Sequence, residues 1–233
     1  MREFRYDTAE KEKCWYLNGG CNKNHCGDDF CPRHYKMCFL TSAALLDGKQ
    51  KYSTRLVPDT VDLPAFKRLK EIQTGIADFV AEGKNLLIYS ANAGNGKTSW
   101  TTKLLLSYFN SIWATTDMKC RGLFISMPRL VIAMKENITS PNEYFQHVND
   151  TVMGADLVVW DELNYKEWTQ FEKEYLLNVI SQRINEGKSN IYTTNYTLQE
   201  IEHRLGSRLF SRIYGQSEHI EFKGKDKRGW GNN

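Results

Sequence analysis

Apolar residues along this chain fall into two patterns. Some form short unbroken runs; others return every three or four positions. Runs suit strands buried on both faces of a parallel sheet, and the helical return suits amphipathic helices. Leu86–Tyr89, Gly122–Ser126, Leu157–Trp160, Asn190–Thr194 and His219–Phe222 read as strands. Phe66, Leu69, Ile72, Ile76, Phe79 and Val80 define one helix, with Gly83 as its C-cap. Trp100, Leu104, Leu105 and Tyr108 mark a second helix, and Leu130–Met134 belongs to a third. Trp168, Phe171, Tyr175, Val179 and Ile180 form the inward stripe of a long helix closed by Gly187, a core stripe rather than a base-stacking surface. Strands alternating with helices predict an α/β domain around a parallel sheet. Only about ten residues follow the last strand, too few for a sizeable helical lid.

The first 46 residues are written differently. Cys14, Cys21, Cys26, Cys31 and Cys38 lie within 25 residues, with His25 and His34 interleaved. Too few apolar residues accompany them to build a core, so a structural metal is the expected staple. None of the spacings is the C-x2-C knuckle of the standard zinc-finger template. Cys14, Cys21, Cys26 and Cys31 are the expected ligands, with Cys38, His25 and His34 as alternates. Zn²⁺ is the expected ion. An iron–sulfur cluster is the rival, because Cys31-Pro32 matches the end of many cluster motifs. Cys120 stands alone and reads as a small buried hydrophobe. From Asp47 to Pro64 the composition turns polar and basic with two prolines, as in a linker.

The chemistry gathers at Asn85–Thr98, NLLIYSANAGNGKT. A strand, a glycine-bearing turn and a helix in that order form the context of a phosphate-binding loop. Gly94 and Gly96 let the backbone aim several N–H groups inward, and the helix adds its positive dipole end. Ala93, Gly94, Asn95, Gly96, Lys97, Thr98 and Ser99 are thus the expected cradle for ATP. Lys97 would reach the β- and γ-phosphates, and Thr98 would offer its hydroxyl to Mg²⁺. Ala91 stands where the first glycine of G-x-x-x-x-G-K-[ST] is expected. Further on, the run Leu157–Trp160 ends in Asp161 and Glu162, which places two acids at a strand's C-terminal edge, where open α/β sheets bind ligands. Asp161 would hold Mg²⁺, directly or through water, and Glu162 would act as general base on the attacking water. Asn195, at the next strand tip, could orient that water. The expected division is a metal-binding module over 1–46, a linker over 47–64 and an ATPase domain over 65–233.

Composition adds only bounds. Hydrophobic residues at 41% and charged residues at 25% describe an ordinary globular protein, and a net charge of +3 neither demands nor opposes nucleic acid. The charged N-terminus has no signal-peptide core, and Met37–Leu46 is about half of what spans a bilayer. A cytoplasmic location without membrane attachment is expected, where cysteine clusters mean metal or catalysis more often than disulfides.

The run SNIYTTNYTLQEIEHRLGSRLFSRI, the GNGKTSW loop, the WDE acids and the N-terminal CWYL segment resemble the DnaC-type replicative helicase loaders. These are AAA+ ATPases of bacteria and phages, and the likeness is nearest to phage and mobile-element loaders of Gram-positive hosts. It covers nearly the whole chain. The resemblance implies an AAA+ (ASCE-type) P-loop sandwich and ATP hydrolysis at an inter-subunit site, slow without a partner. It makes Asn195 similar to the first sensor and Arg228 to the terminal sensor arginine. Arg212, in Ser211-Arg212-Ile213, resembles the arginine finger, and Arg208 could share or take that role. It implies self-association into a ring or helical oligomer, a replicative helicase gripped by the cysteine-rich head, and single-stranded DNA as partners. Lys119 and Arg121, with Lys223, Lys225, Lys227 and Arg228 in the tail, are the basic groups available for DNA. Two other readings share these motifs: an IstB-kind transposition helper gripping duplex DNA, and a nucleotide-gated adaptor with little turnover.

Overall fold

The computed structural model describes residues 31–46, 56–163 and 167–226. Five parallel strands form its centre: β1 (Asn85–Tyr89), β2 (Gly122–Ser126), β3 (Leu157–Asp161), β4 (Ser189–Thr194) and β5 (Ser217–Glu221). Their spatial order is β2-β3-β4-β1-β5, so β4 is inserted between the two strands that carry the phosphate loop and the acids. β1 and β4 run in register from Asn85 opposite Asn190 to Tyr89 opposite Thr194.

The strands read as unbroken apolar runs because both faces of the sheet are covered. Leu86, Ile88, Val159 and Ile191 face one core, filled by α1 (Pro32–Ala43), α2 (Leu63–Thr74), α3 (Ile76–Ala81) and α4 (Lys97–Ile112). Leu87, Val158, Trp160 and Tyr192 face the other, under α5 (Met127–Thr139), α6 (Glu143–Thr151), α7 (Gln170–Asn185), α8 (Leu198–Leu205) and α9 (Ser207–Gly215). This is the expected α/β sandwich, and no described helix is long and apolar enough to cross a membrane. Capping boxes start α7 (Thr169 with Glu172) and α8 (Thr197 with Glu200), each satisfying two otherwise orphaned amides.

Helix α1 belongs to the first core. Met37, Leu40 and Ala44 are buried in it, and the Phe124 amide donates to the Ala44 carbonyl at 2.8 Å, tying the helix end to β2. Cys120, half-buried beside it, donates its thiol to the carbonyls of Ala43 and Gly122. Burial pushes that thiol up to about 11, so it stays protonated and inert.

Two helical expectations need correction. The apolar repeat from Phe66 to Val80 is not one helix but two, α2 and α3, divided at Gly75, whose backbone (ψ 26°) leaves the helical region. The stripe assigned to α7 holds only in part: Ile180 is buried and Tyr175 and Val179 pack against the second core. Phe171 is 64% exposed, Trp168 is buried but precedes the helix, and the buried face is Glu172, Leu176, Ile180 and Arg183. Arg183 is wholly buried without a carboxylate partner among the described residues. It donates to the carbonyls of Val152, Ala155 and Ser189 and to Asn190 Oδ1, joining the starts of β3 and β4. Burial lowers its guanidinium to about 10, still ionised at neutral pH.

At that same lower edge two glycines meet. Gly83 (φ 65°) closes α3 before β1, and Gly187 (φ 67°) closes α7 before β4. A Cβ on Gly83 would overlap the Gly187 carbonyl.

Candidate nucleotide site

The site is built at the opposite, C-terminal edge of the strands. Past β1 the chain turns sharply: Ser90, fully buried, accepts from the Asn92 amide (3.0 Å) and the Asn95 side-chain amide (2.7 Å). Gly94 (φ 69°) and Gly96 (φ 100°) take the left-handed conformations that this cradle requires. Ala91 needs none, since its φ is not positive, which is why alanine is accommodated where the motif has glycine. Helix α4 begins at Lys97 without a side-chain cap, so its first-turn amides and dipole face the open loop. Lys97 is buried and donates to the Asn92 carbonyl (2.8 Å) and Asn95 Oδ1 (3.0 Å), acceptors that phosphate oxygens would replace.

Thr98 and Asp161 converge. The threonine hydroxyl lies 3.1 Å from both carboxylate oxygens, bringing together the two groups expected to hold Mg²⁺ from residues 63 apart in sequence. Asp161 is 5% exposed. Burial pushes its carboxyl up to about 6, against hydrogen bonds from Thr193 and Thr98 and the Lys97 charge; the Glu162 charge adds to the rise. A divalent cation supplies what such a group lacks, so the donor set fits Mg²⁺. Glu162 is exposed and adopts φ 64°, a left-handed turn that points the chain out of β3. Its amide donates to Thr193 Oγ1 (2.9 Å), and the Thr193 hydroxyl donates to Asp161 Oδ1 (2.7 Å). Because β4 lies between β1 and β3, its tip, Thr193 to Asn195, stands between the phosphate loop and the acids. Asn195 is half-buried there.

The remaining sequence candidates lie elsewhere. Arg208 and Arg212 are both exposed on α9, opposite its buried Leu209 and Ile213, and neither forms an ion pair among the described residues. Arg228 lies outside the described residues, as do Cys14, Cys21 and Cys26. Cys31 is the half-buried N-cap of α1, and among the described residues no three His, Cys, Asp or Glu side chains are grouped to hold a metal. Of the basic candidates, Arg121 pairs with Asp156, Lys119 with Asp117 and Lys223 with Glu221.

Sequence reasoning missed Thr193 and a second support, Asp62. Asp62 is buried and accepts from the amides of Lys223 and Gly224, whose carbonyls accept from the Asn92 side chain. The chain after β5 thus braces the outer arm of the phosphate loop against the turn before α2. Only the glycine at 224 hinted at it, since a Cβ there would overlap the Asp62 carboxylate.

Comparison with known proteins agrees with this geometry. The model of the family described as IstB-like ATP binding protein matches residues 60–229. No curated protein matches the chain significantly. Among solved structures, the crystal structure of the DnaC helicase loader is similar at 23% identity and TM-score 0.58, covering 72% of this chain and 93% of that one. The crystal structure of DnaI is similar at 20% identity and TM-score 0.56, covering 81% and 93%. The replication initiator DnaA bound to AMPPCP and single-stranded DNA is similar at 19% identity and TM-score 0.56, covering 78% and 53%. At these identities the structural likeness establishes the shared fold. With the family model spanning well over half of its length and a phosphate loop, lysine and buried acid in place, the chain belongs to the IstB-like ATP-binding proteins.

Proposed function

We propose that this protein is an ATP-driven loader that places a replicative helicase on single-stranded DNA, with each ATP site completed by a second copy of the chain. The observation that carries this reading is the fold match to the DnaC helicase loader over 93% of that chain, joined to the Lys97–Thr98–Asp161 convergence. The likeness to DnaI and to DnaA with single-stranded DNA points the same way. Amides of Ala93 to Ser99 would cradle the triphosphate, and Lys97 would exchange its loop acceptors for phosphate oxygens. Mg²⁺, held by Thr98 and Asp161, would neutralise charge on the β- and γ-phosphates. Glu162, turned outward from β3, would accept a proton from the attacking water, with Asn195 orienting that water. Arg212, or Arg208 one turn earlier, would reach a neighbouring protomer's γ-phosphate. Hydrolysis would therefore be slow in isolated protomers.

Sedimentation of the full chain with a hexameric replicative helicase and an ATP analogue tests this. A nucleotide-dependent complex that delivers the helicase to single-stranded DNA is expected. No complex, with nucleotide binding intact, would overturn the loader reading. The family model favours a second reading, a transposition helper of the IstB kind. A nucleotide-dependent preference for duplex over single-stranded DNA would select it.

A further inference from the structure

We propose that His219 and Tyr214 are positioning residues for the arginine that α9 presents to a neighbouring protomer. Their stacked rings fix the roll of the helix, and with it the place of the guanidinium. The inference rests on the reading of Arg212 or Arg208 as a group supplied in trans.

Helix α9 is short and lightly held. It follows α8 after the single residue Gly206 (φ 82°, ψ 152°), a backbone that other residues rarely adopt, and it starts without a side-chain cap. Of its residues only Leu209 and Ile213 are buried. At a helical turn of about 100° per residue, three faces follow. Leu209 and Ile213 form the buried stripe. Arg208 and Arg212 lie about 100° to one side of it, and Phe210 and Tyr214 about 100° to the other. The arginine side is exposed, without an ion pair among the described residues.

The ring side is held. Tyr214 stacks on Phe210 at 5.2 Å between centroids and on His219 at 3.9 Å, within 12° of parallel. The same imidazole donates from Nε2 to the Tyr214 carbonyl at 2.8 Å. His219 stands on β5 opposite Leu87 of β1, so the ring and the carbonyl of one helical residue are both fastened to the sheet. Asn85, at the foot of β1, donates to the Gln216 carbonyl at 3.2 Å. That bond is a single point beyond the helix end, which resists displacement more than rotation. His219 is exposed and Tyr214 is 36% exposed, so burial gives this pair little stability; what the contact supplies is direction.

The lever is sensitive. A roll of about 10° at a side-chain radius of about 6 Å shifts the arginine by about 1 Å. Misplacing a catalytic group by that much costs on the order of a hundredfold in rate.

Mixed protomers test the pair. A Lys97→Ala chain keeps the arginine it donates but loses the lysine of its own phosphate loop. A chain with alanine at Arg212, or at Arg208 if that substitution is the one that abolishes the rate, keeps its loop and donates nothing. Their mixture, with a hexameric replicative helicase and single-stranded DNA, gives a reference rate of ATP hydrolysis. His219→Ala in the donor chain should lower that rate by about tenfold to a hundredfold. In the acceptor chain the same substitution should leave it nearly unchanged. Tyr214→Leu in the donor chain should act like His219→Ala, whereas Tyr214→Phe, which keeps the stack and the carbonyl, should act like the unsubstituted donor. Equal losses from either chain, or no loss from the donor, would overturn the inference, since a contact that only supports the fold does not distinguish donor from acceptor. A reference mixture without activity is a different result: it removes donation in trans, and this inference with it, before His219 is touched.

Discussion

Thr193 donates its hydroxyl to Asp161 at 2.7 Å while the same oxygen receives the Glu162 amide at 2.9 Å. One hydroxyl on β4 thereby fixes both acids at the end of β3. Thr193→Val keeps the shape and removes both bonds, leaving a buried carboxylate short of a donor and an amide short of an acceptor. Stability should fall by about 1–3 kcal/mol. Hydrolysis with partner and DNA should fall about tenfold or more, while ATP affinity changes little. Thermal melting and single-turnover kinetics check this, with Thr193→Ser as the variant that should recover both.

Asp161 predicts a pH dependence. Its folded-state value of about 6 lies above the ordinary 3.8, so the folded chain binds this proton more tightly than the unfolded one. The stability of the nucleotide-free protein should therefore drop as pH rises from about 4 to about 6, and the deficit should persist at neutral pH. Asp161→Asn should stabilise the apo-protein at pH 7.5 by up to about 3 kcal/mol, with the gain vanishing below about pH 4. The same variant should lose the Mg²⁺ dependence of ATP binding. In the wild type, Mg²⁺-dependent binding should weaken as pH falls below about 6, because the proton competes with the cation. Melting curves across pH and fluorescent-nucleotide titrations read both effects.

Arg208 and Arg212 are exposed without an ion-pair partner among the described residues, so alanine at either should leave the monomer's melting point nearly unchanged. If one is supplied to a neighbour's site, its loss should cut the partner-stimulated rate by about 10³–10⁵. Mixing Lys97→Ala protomers, which keep the arginine, with Arg212→Ala protomers, which keep the phosphate loop, should restore part of the activity. Mixtures as inactive as their components would exclude donation in trans by Arg212, and the same mixture with Arg208→Ala assigns the role.

The brace behind the phosphate loop is separable from the chemistry. Gly224→Ala should push against Asp62, and Asp62→Ala should strand the amides of Lys223 and Gly224. Each should cost about 1–3 kcal/mol in stability. Both should weaken ATP binding through Asn92, and Asn92→Ala should make a second substitution at Asp62 nearly silent for affinity. A double-mutant cycle on nucleotide affinity measures that coupling; strict additivity would show that the brace does not reach the site.

Much of this was legible in the residues. The strand runs were readable because the sheet is covered on both sides, and Lys97, Thr98 and Asp161 because their chemistry forces type and spacing. What stayed hidden was long-range. Thr193 looked like one of several β-formers, and only the strand order puts it beside Asp161. Asp62 sat in a polar stretch that composition reads as linker, yet its partners are some 160 positions away. Arg183 carried no signal in the sequence, since periodicity cannot foresee a guanidinium spent on backbone carbonyls. Phe171 misled for the converse reason: an aromatic at helical spacing is apolar in type but solvent-facing in fact.

The touching glycines at positions 83 and 187 act as a spacer of minimum thickness at the foot of two neighbouring strands. One strand ends in the loop expected to grip the triphosphate and the other in the threonine that aligns the acids. A single added methyl group at position 83 would wedge those strands apart at the end remote from any nucleotide. The separation between grip and acids is thus set at the floor of the sheet as much as at its rim.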